Sequence, residues 1–327
     1  MTKKNLSGIE QLVLSRLEID SRMPFSGIGK SIRKSQQQVS YTVGSLTDRG
    51  LISRFMSLID YSKFGVLNFR VYFTVNYIDK SKFDELIDYL VKEPHTSWVV
   101  TCGGRYDLIC SFFAPNPSHF SKTLRTFMER FPMQLQNYRV LTTVVVRKFG
   151  RKYLLKNPGM LQEIVIGGDS EREEVDKTDI RILMELSENA RKSSVSIAQE
   201  LSVSTKTVID RIKKLYKRGI IKGARPIVNI RKTGFSPGLL MVKYHNITSD
   251  AEKEFIEYLR RHPNVRGIAK TLGEWNMEIY LEAKDALEKK MIEMEIRQSF
   301  PSLIQQTESI PLYQTYKKCF FPRFLVD

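Results

Sequence analysis

Residues 179–223 read DIRILMELSENARKSSVSIAQELSVSTKTVIDRIKKLYKRGIIKG, and the fold follows from this stretch. Apolar residues recur at helical spacing in three short blocks, Ile182/Leu183/Leu186, Ile197/Ala198/Leu201 and Val208/Ile212/Leu215, which predicts three small amphipathic helices around one core. Between the second and third blocks stands Ser204, whose hydroxyl can accept a bond from an orphan amide of the helix it opens. A helix, a tight turn and a capped second helix make a helix-turn-helix. Burying Val208, Ile212 and Leu215 leaves Thr205, Lys206, Ile209 and Lys213 facing away from the core, a short polar and cationic face suited to a major groove. After Arg218-Gly219 the run Ile220-Ile221-Lys222-Gly223 predicts a glycine helix stop and the first strand of a wing.

Working outward, the same unit occurs twice. A shift of 169 residues places Leu14 on Leu183, Ile28 on Ile197, Ser35 on Ser204, Val39 on Val208 and Arg49-Gly50 on Arg218-Gly219. The register continues without a gap through Gly65/Gly234, Tyr89-Leu90/Tyr258-Leu259, Gly104/Gly273 and Phe131-Pro132/Phe300-Pro301. The chain is a tandem duplication. Behind each helical front lies a sheet-forming back. In the first, 67–75 is a strand, 81–92 a helix, 97–114 two strands broken by Gly103-Gly104, 117–131 a second helix and 138–149 a last strand. That order, βαββαβ, is the ferredoxin-like arrangement, with two helices on one face of an antiparallel sheet. The other face carries large side chains, expected to include Tyr72, Val75, Val242 and Tyr244, and needs a cover; the sister unit is the nearest one.

The expected class is therefore α+β: two winged helix-turn-helix modules, each followed by a ferredoxin-like βαββαβ domain, with the two sheets packing as an intrachain pseudodimer. The divisions are 5–65 for the first reader, 66–153 for its sheet domain, 154–174 for an acidic connector, 175–234 for the second reader and 235–327 for the second sheet domain. Composition agrees. The 327 residues carry 52 Lys and Arg against 36 Asp and Glu, a net +16, which points to a polyanionic partner. Three scattered cysteines make neither a disulfide framework nor a zinc pair, and four histidines stand at no metal-ligand spacing. No metal or cofactor is expected. The N-terminus has no signal-peptide pattern and no apolar run reaches the ~20 residues of a membrane helix, so a cytoplasmic protein without a membrane partner is expected.

The pattern S-x-x-T-V-x-x-R-I-x-x-L-x-x-x-G-I-I-x-G, standing at Ser204 to Gly223, with a βαββαβ unit behind it, resembles the Lrp/AsnC (feast/famine) transcription regulators. The resemblance covers nearly the whole chain, twice. It implies a DNA-binding transcription regulator, sequence-specific, in which the back domain, called RAM, dimerises through its sheet and takes an amino acid or related metabolite as effector. Two copies in one chain imply a self-contained dimer, open to further homo-oligomerisation, that grips double-stranded DNA with two readers. Carried over residue by residue, Ser204, Thr205, Lys206 and Thr207 lie at the groove edge, while Arg211, Lys213, Lys214 and Lys217 meet phosphates or bases.

The first reader departs from the pattern. Its recognition stretch is Gln36-Gln37-Gln38-Val39-Ser40-Tyr41-Thr42-Val43-Gly44, with Thr42 where Arg211 stands and a glycine inside the helix. Two readings stand: Gln36, Gln37, Gln38 and Tyr41 read a different sequence, glutamine being able to pair bidentately with adenine, or the copy has kept its shape and lost its groove contacts. A second candidate site, Gly103-Gly104-Arg105-Tyr106-Asp107, resembles the G-x-Y-D segment near which RAM domains bind effectors; the other reading is a plain hairpin turn. Two further functions remain open. Sirohaem decarboxylases are similar in build and pair two such units around a tetrapyrrole, although no histidine and arginine cluster stands out in the sheet domains. An architectural DNA packer without sequence preference is the other.

Overall fold

The computed structural model describes residues 6–76, 79–155, 161–245 and 248–326. The expected outer limits at 5 and 327 and part of the connector, 156–160, lie outside the described residues. The first half folds as α1 (Gly8–Ile19), α2 (Phe25–Ile32), α3 (Gln36–Asp48), β1 (Ile52–Ile59), β2 (Leu67–Val75), α4 (Lys80–Lys92), β3 (Thr96–Cys102), β4 (Leu108–Ala114), α5 (Pro117–Arg130) and β5 (Leu135–Lys148). After a short strand β6 (Ile164–Gly167) the second half repeats the order: α6 (Lys177–Glu188), α7 (Ser194–Leu201), α8 (Thr205–Lys217), β7 (Ile221–Val228), β8 (Ser236–Tyr244), α9 (Ser249–Arg261), β9 (Val265–Leu272), β10 (Met277–Ala283), α10 (Ala286–Ser299) and β11 (Ile304–Lys318). Helix for helix, the bounds repeat at the offset read from the sequence. Strand β6 is a departure: the stretch read only as a connector adds an edge strand to β5, Val146 pairing with Ile166.

The two ferredoxin-like sheets are sewn together by their last strands. Residues 135–143 of β5 pair with β2 of their own unit, and residues 142–148 pair with β9 of the other. In the same way β11 pairs with its own β8 up to Pro311 and then with β3 through Leu312, Thr315 and Lys318. Because β2 also pairs with β4, the strands close into a ring flattened into two layers. Closure leaves neither main sheet an open edge at these seams.

Side-chain alternation divides three cores. Phe69, Val71, Phe73 and Val75 pack with α4 and α5; Leu240, Val242 and Tyr244 pack with α9 and α10; Tyr72, Trp98, Leu141, Leu239, Met241 and Ile310 fill the space between the sheets. Of the four residues expected on the inter-sheet face, only Tyr72 lies there. Val75, Val242 and Tyr244 point to the helices, because a strand's side chains change face at every residue and these three share the parity of Phe73 and Leu240. On the pseudo-twofold, Tyr72 Oη lies 3.4 Å from Met241 Sδ, its own counterpart.

One buried polar network crosses this interface and breaks the symmetry. Glu278, fully buried, accepts from Tyr72 and, at 2.8 Å, from Tyr280, while Arg70 lies 3.3 Å away and donates to Tyr280 Oη at 3.0 Å. The counterparts of Arg70, Glu278 and Tyr280 in the opposite halves are Leu239, Ile109 and Ser111, so only one side carries the network. Removing one partner of a buried ion pair strands the other charge. Glu278→Ala is therefore expected to lower unfolding free energy by about 3–5 kcal/mol in urea titration, with Glu278→Gln losing less because it keeps an acceptor for the tyrosines.

Candidate nucleic-acid interface

Each reader is built on local sequence signals. Ser204 Oγ accepts from Thr207 N at 3.0 Å, and in the first copy Ser35 Oγ accepts from Gln38 N at 3.1 Å while Gln38 Oε1 returns a bond to Ser35 N. The turns between α2 and α3 and between α7 and α8 place Arg33 and Ser202 at φ 56°, the two non-glycine residues with positive φ among those described. They are counterparts, so both copies keep the same strained, left-handed turn. Below the helices the cores are separate: Val13, Leu14, Leu17, Ile28, Val39 and Leu46 in the first, Ile182, Leu183, Leu186, Val208, Ile212 and Leu215 in the second.

The expected wings do not project. Strands β1 and β7 pair with each other in an antiparallel ribbon, Met56 opposite Arg225 and Ile52 opposite Val228. Each strand then packs on the partner reader, Ile59 entering the core of the second reader and Val228 lying against that of the first. Symmetric main-chain bonds fasten this exchange: Ser21 N to Ala224 O at 3.1 Å and Ala190 N to Phe55 O at 2.8 Å, Asp60 N to Ile220 O and Asn229 N to Leu51 O both at 2.8 Å. Both strands lie inside the divisions that end at 65 and 234, and the ribbon they form joins the two readers.

On α8, Lys206, Lys213, Lys214 and Lys217 are exposed, Ile209 is 39% exposed between them, and Thr205 is half-buried at the helix start. Ser204 and Thr207 also face outward but share a hydroxyl contact of 2.7 Å in the cap. Arg211 has a different use from the one expected. Its guanidinium binds Asp176 at 2.6 Å and Asp179 at 2.9 Å, which anchors α8 to the first turn of α6 and holds its own ionisation above the ordinary guanidinium range. In the first reader Gln36, Gln37 and Tyr41 are exposed, Tyr41 at 81%, Gln38 is committed to the cap, and Thr42 is buried with its hydroxyl on Gln38 O. That helix carries no cation of its own outward; Lys30, Arg33 and Lys34 stand exposed beside it.

The Gly103–Asp107 loop is already occupied by the protein. A Cβ on Gly103 would come within 2.4 Å of Tyr313 Oη, and Gly104 sits at φ 92°. Asp107 Oδ2 accepts from Val75 N at 2.8 Å, the same bond that Asn276 makes to Tyr244 N at 2.9 Å in the second copy. Tyr106 is buried in the inter-sheet core, and Arg105 reaches across the pseudo-twofold to its counterpart Glu274 at 3.4 Å. Asp107 thus pins the hairpin to its neighbouring strand.

Beneath the β1–β7 ribbon the structure brings together a cluster of cations that sequence reasoning missed. There the inter-sheet space opens into a cavity of about 550 Å³. Arg147 pairs with Glu163, Arg70 with Glu278, and Arg151 and Arg266 share Glu282. Four more cations line it without a carboxylate partner among the described residues: Arg225, Arg231, Lys148 and Lys318. Burial first, then repulsion from Arg266 and other cations, pushes both lysines well below the ordinary ammonium range. The signal was present in principle, since Arg70 interrupts an apolar strand, but the cluster draws on both halves of the chain and no local window contains it.

Comparison with known proteins places these features. The winged helix-turn-helix DNA-binding family matches residues 175–222. The HTH-type transcriptional regulator Ptr1 of Methanocaldococcus jannaschii is 32% identical over 111 residues, 34% of this chain and 74% of its own length. The chain belongs to the Lrp/AsnC family of transcriptional regulators. An uncharacterised HTH-type regulator of Pyrococcus horikoshii matches this Lrp/AsnC chain at 30% identity over 115 residues, 77% of its length. In three dimensions the sirohaem decarboxylase NirDL superposes with a TM-score of 0.63, covering 96% of both chains at 16% identity, which establishes a shared duplicated fold and no more. Among the described residues no helix is long and apolar enough to cross a membrane.

Because Ser204 and Arg211 brace the second reader while Lys206 and Lys213 only face outward, their substitutions separate. Ser204→Ala is expected to cost about 1 kcal/mol and Arg211→Ala to lower the melting midpoint, whereas Lys206→Ala and Lys213→Ala leave thermal unfolding, followed by circular dichroism, unchanged.

Proposed function

We propose that this chain is a sequence-specific DNA-binding regulator whose second reader does the reading. The observation that carries it is the exposed face of α8, where Lys206 stands exposed beside the half-buried Thr205 at the groove end and Lys213, Lys214 and Lys217 continue along the helix. Base edges are read from the first turn, phosphates by the lysines behind it. The first reader serves as a basic flank: its helix start is polar and open, and Lys30, Arg33 and Lys34 supply charge without a matching set of groove cations. The shared ribbon holds the two readers as one unit, so both meet a duplex together or not at all. The target is double-stranded DNA of unequal half-sites. We assign no effector to the Gly103–Asp107 loop, since its carboxylate and tyrosine are engaged, and no catalysis to the chain, since its sequence relatives are named as regulators.

One observation favours an enzyme reading, the cationic cavity in a fold shared with a sirohaem decarboxylase. None of the four histidines lines that cavity, whose charged lining is made of arginines, lysines and two glutamates. Incubation with sirohaem followed by mass spectrometry decides it: loss of carbon dioxide from the tetrapyrrole replaces the regulator reading.

The regulator reading is tested by retardation of promoter fragments against scrambled DNA of the same length at matched salt. The wild type is expected to prefer promoter fragments, and Lys206→Ala/Lys213→Ala/Lys217→Ala to lose at least tenfold in affinity and to flatten the salt dependence by about 0.9 log unit per phosphate contact removed. Equal retention of all fragments by both proteins overturns it.

A further inference from the structure

The cavity under the ribbon is unlike the rest of the interior in two ways. It holds an excess of cations, as described above, and it leaves buried polar groups without partners. Among the described residues, Tyr61 Oη, Arg70 Nε, Trp98 Nε1, Ser111 Oγ and Arg147 Nε find no hydrogen-bond partner although all five residues line it. Buried polar groups are almost always satisfied, so five such groups around one space call for a ligand that supplies acceptors. Like charges brought together in a partly buried space repel one another and are relieved by anions. Lys148 Nζ lies 4.5 Å from the centre of the Phe320 ring.

The apolar part of the wall adds a shape. The Arg70 guanidinium stacks 4.6 Å from the Trp98 ring centre, and Tyr280 meets Trp98 edge-on at 6.1 Å. Phe113 and Phe320 continue this aromatic lining. Rings and guanidinium planes favour a flat, unsaturated body between them. The volume suits one metabolite rather than a peptide or a nucleic-acid strand.

We propose that this cavity binds a compact metabolite with several carboxylates or phosphates on a flat, unsaturated body. Lys148, Lys318, Arg225 and Arg231 take its anionic groups, and Trp98 and Arg70 its face. The site is separate from the hairpin loop and from the recognition helix, and it stands whether or not the second reader is sequence-specific.

The test uses the full chain carrying Trp275→Phe, which leaves Trp98 as the single tryptophan, with uroporphyrin III, ATP and L-methionine as probes. Trp98 fluorescence and the melting midpoint are followed. At least one of the two polyanions is expected to bind at micromolar concentration, to raise the midpoint and to weaken with salt, while L-methionine does neither. Binding of uroporphyrin III alone assigns carboxylates, of ATP alone phosphates, and of both the shared chemistry. Lys148→Gln/Lys318→Gln, which removes two mutually repelled charges, is expected to melt no lower than the parent, to bind the polyanion at least tenfold more weakly, and to retain DNA unchanged without ligand. If the double variant does not fold, Lys318→Gln alone carries the comparison. The proposal is overturned if neither polyanion binds up to millimolar concentration, or if parent and variant bind equally.

Discussion

Everything in this molecule depends on two strands being long enough to serve two sheets. Strands β5 and β11 begin as the fourth strand of their own unit and end as the partner of the other unit's second strand. Backbone hydrogen bonds cannot be left unmade in an interior, so once the first half of each strand is placed, its second half has one place to go. The closed ring, the layer packed around Tyr72 and Met241, and the ribbon above it follow from that constraint. The readers inherit their relation from the same source, because β1 and β7 leave the helical fronts and run directly into β2 and β8.

Local features were legible in the sequence and distant ones were not. The offset of 169 residues, the serine caps and the βαββαβ order are written in short windows, and helix bounds repeat accordingly. What short windows lack is parity and partnership. Whether Val75 faces helix or sister sheet turns on a single residue of register, and whether Arg211 faces DNA or Asp176 turns on where the chain enters α6. The ribbon and the cationic cavity join residues more than a hundred positions apart. The cavity is the largest omission: its charges come from both halves of the chain, and no single stretch of sequence brings them together.

Duplication freed the two halves to diverge, and the interface records where they did. A homodimer must place identical residues on both sides of its twofold axis, so an Arg70–Glu278 pair would appear twice. Here it appears once, opposite Leu239 and Ile109. A buried network of this kind favours pairing of unlike units over pairing of like ones, since joining two first halves would bury Arg70 without its carboxylate. The same freedom reaches the readers, where one recognition helix is cationic and the other is glutamine-rich.

The shared ribbon carries a consequence for how such a protein works at low abundance. Dimeric regulators fall apart on dilution, and their occupancy of a target then depends on the square of their concentration. With both partners on one chain, interleaved through β1 and β7, pairing is intramolecular and does not weaken as copies become few. A handful of molecules can hold a promoter as firmly, molecule for molecule, as a large population, and the response to changing copy number becomes linear.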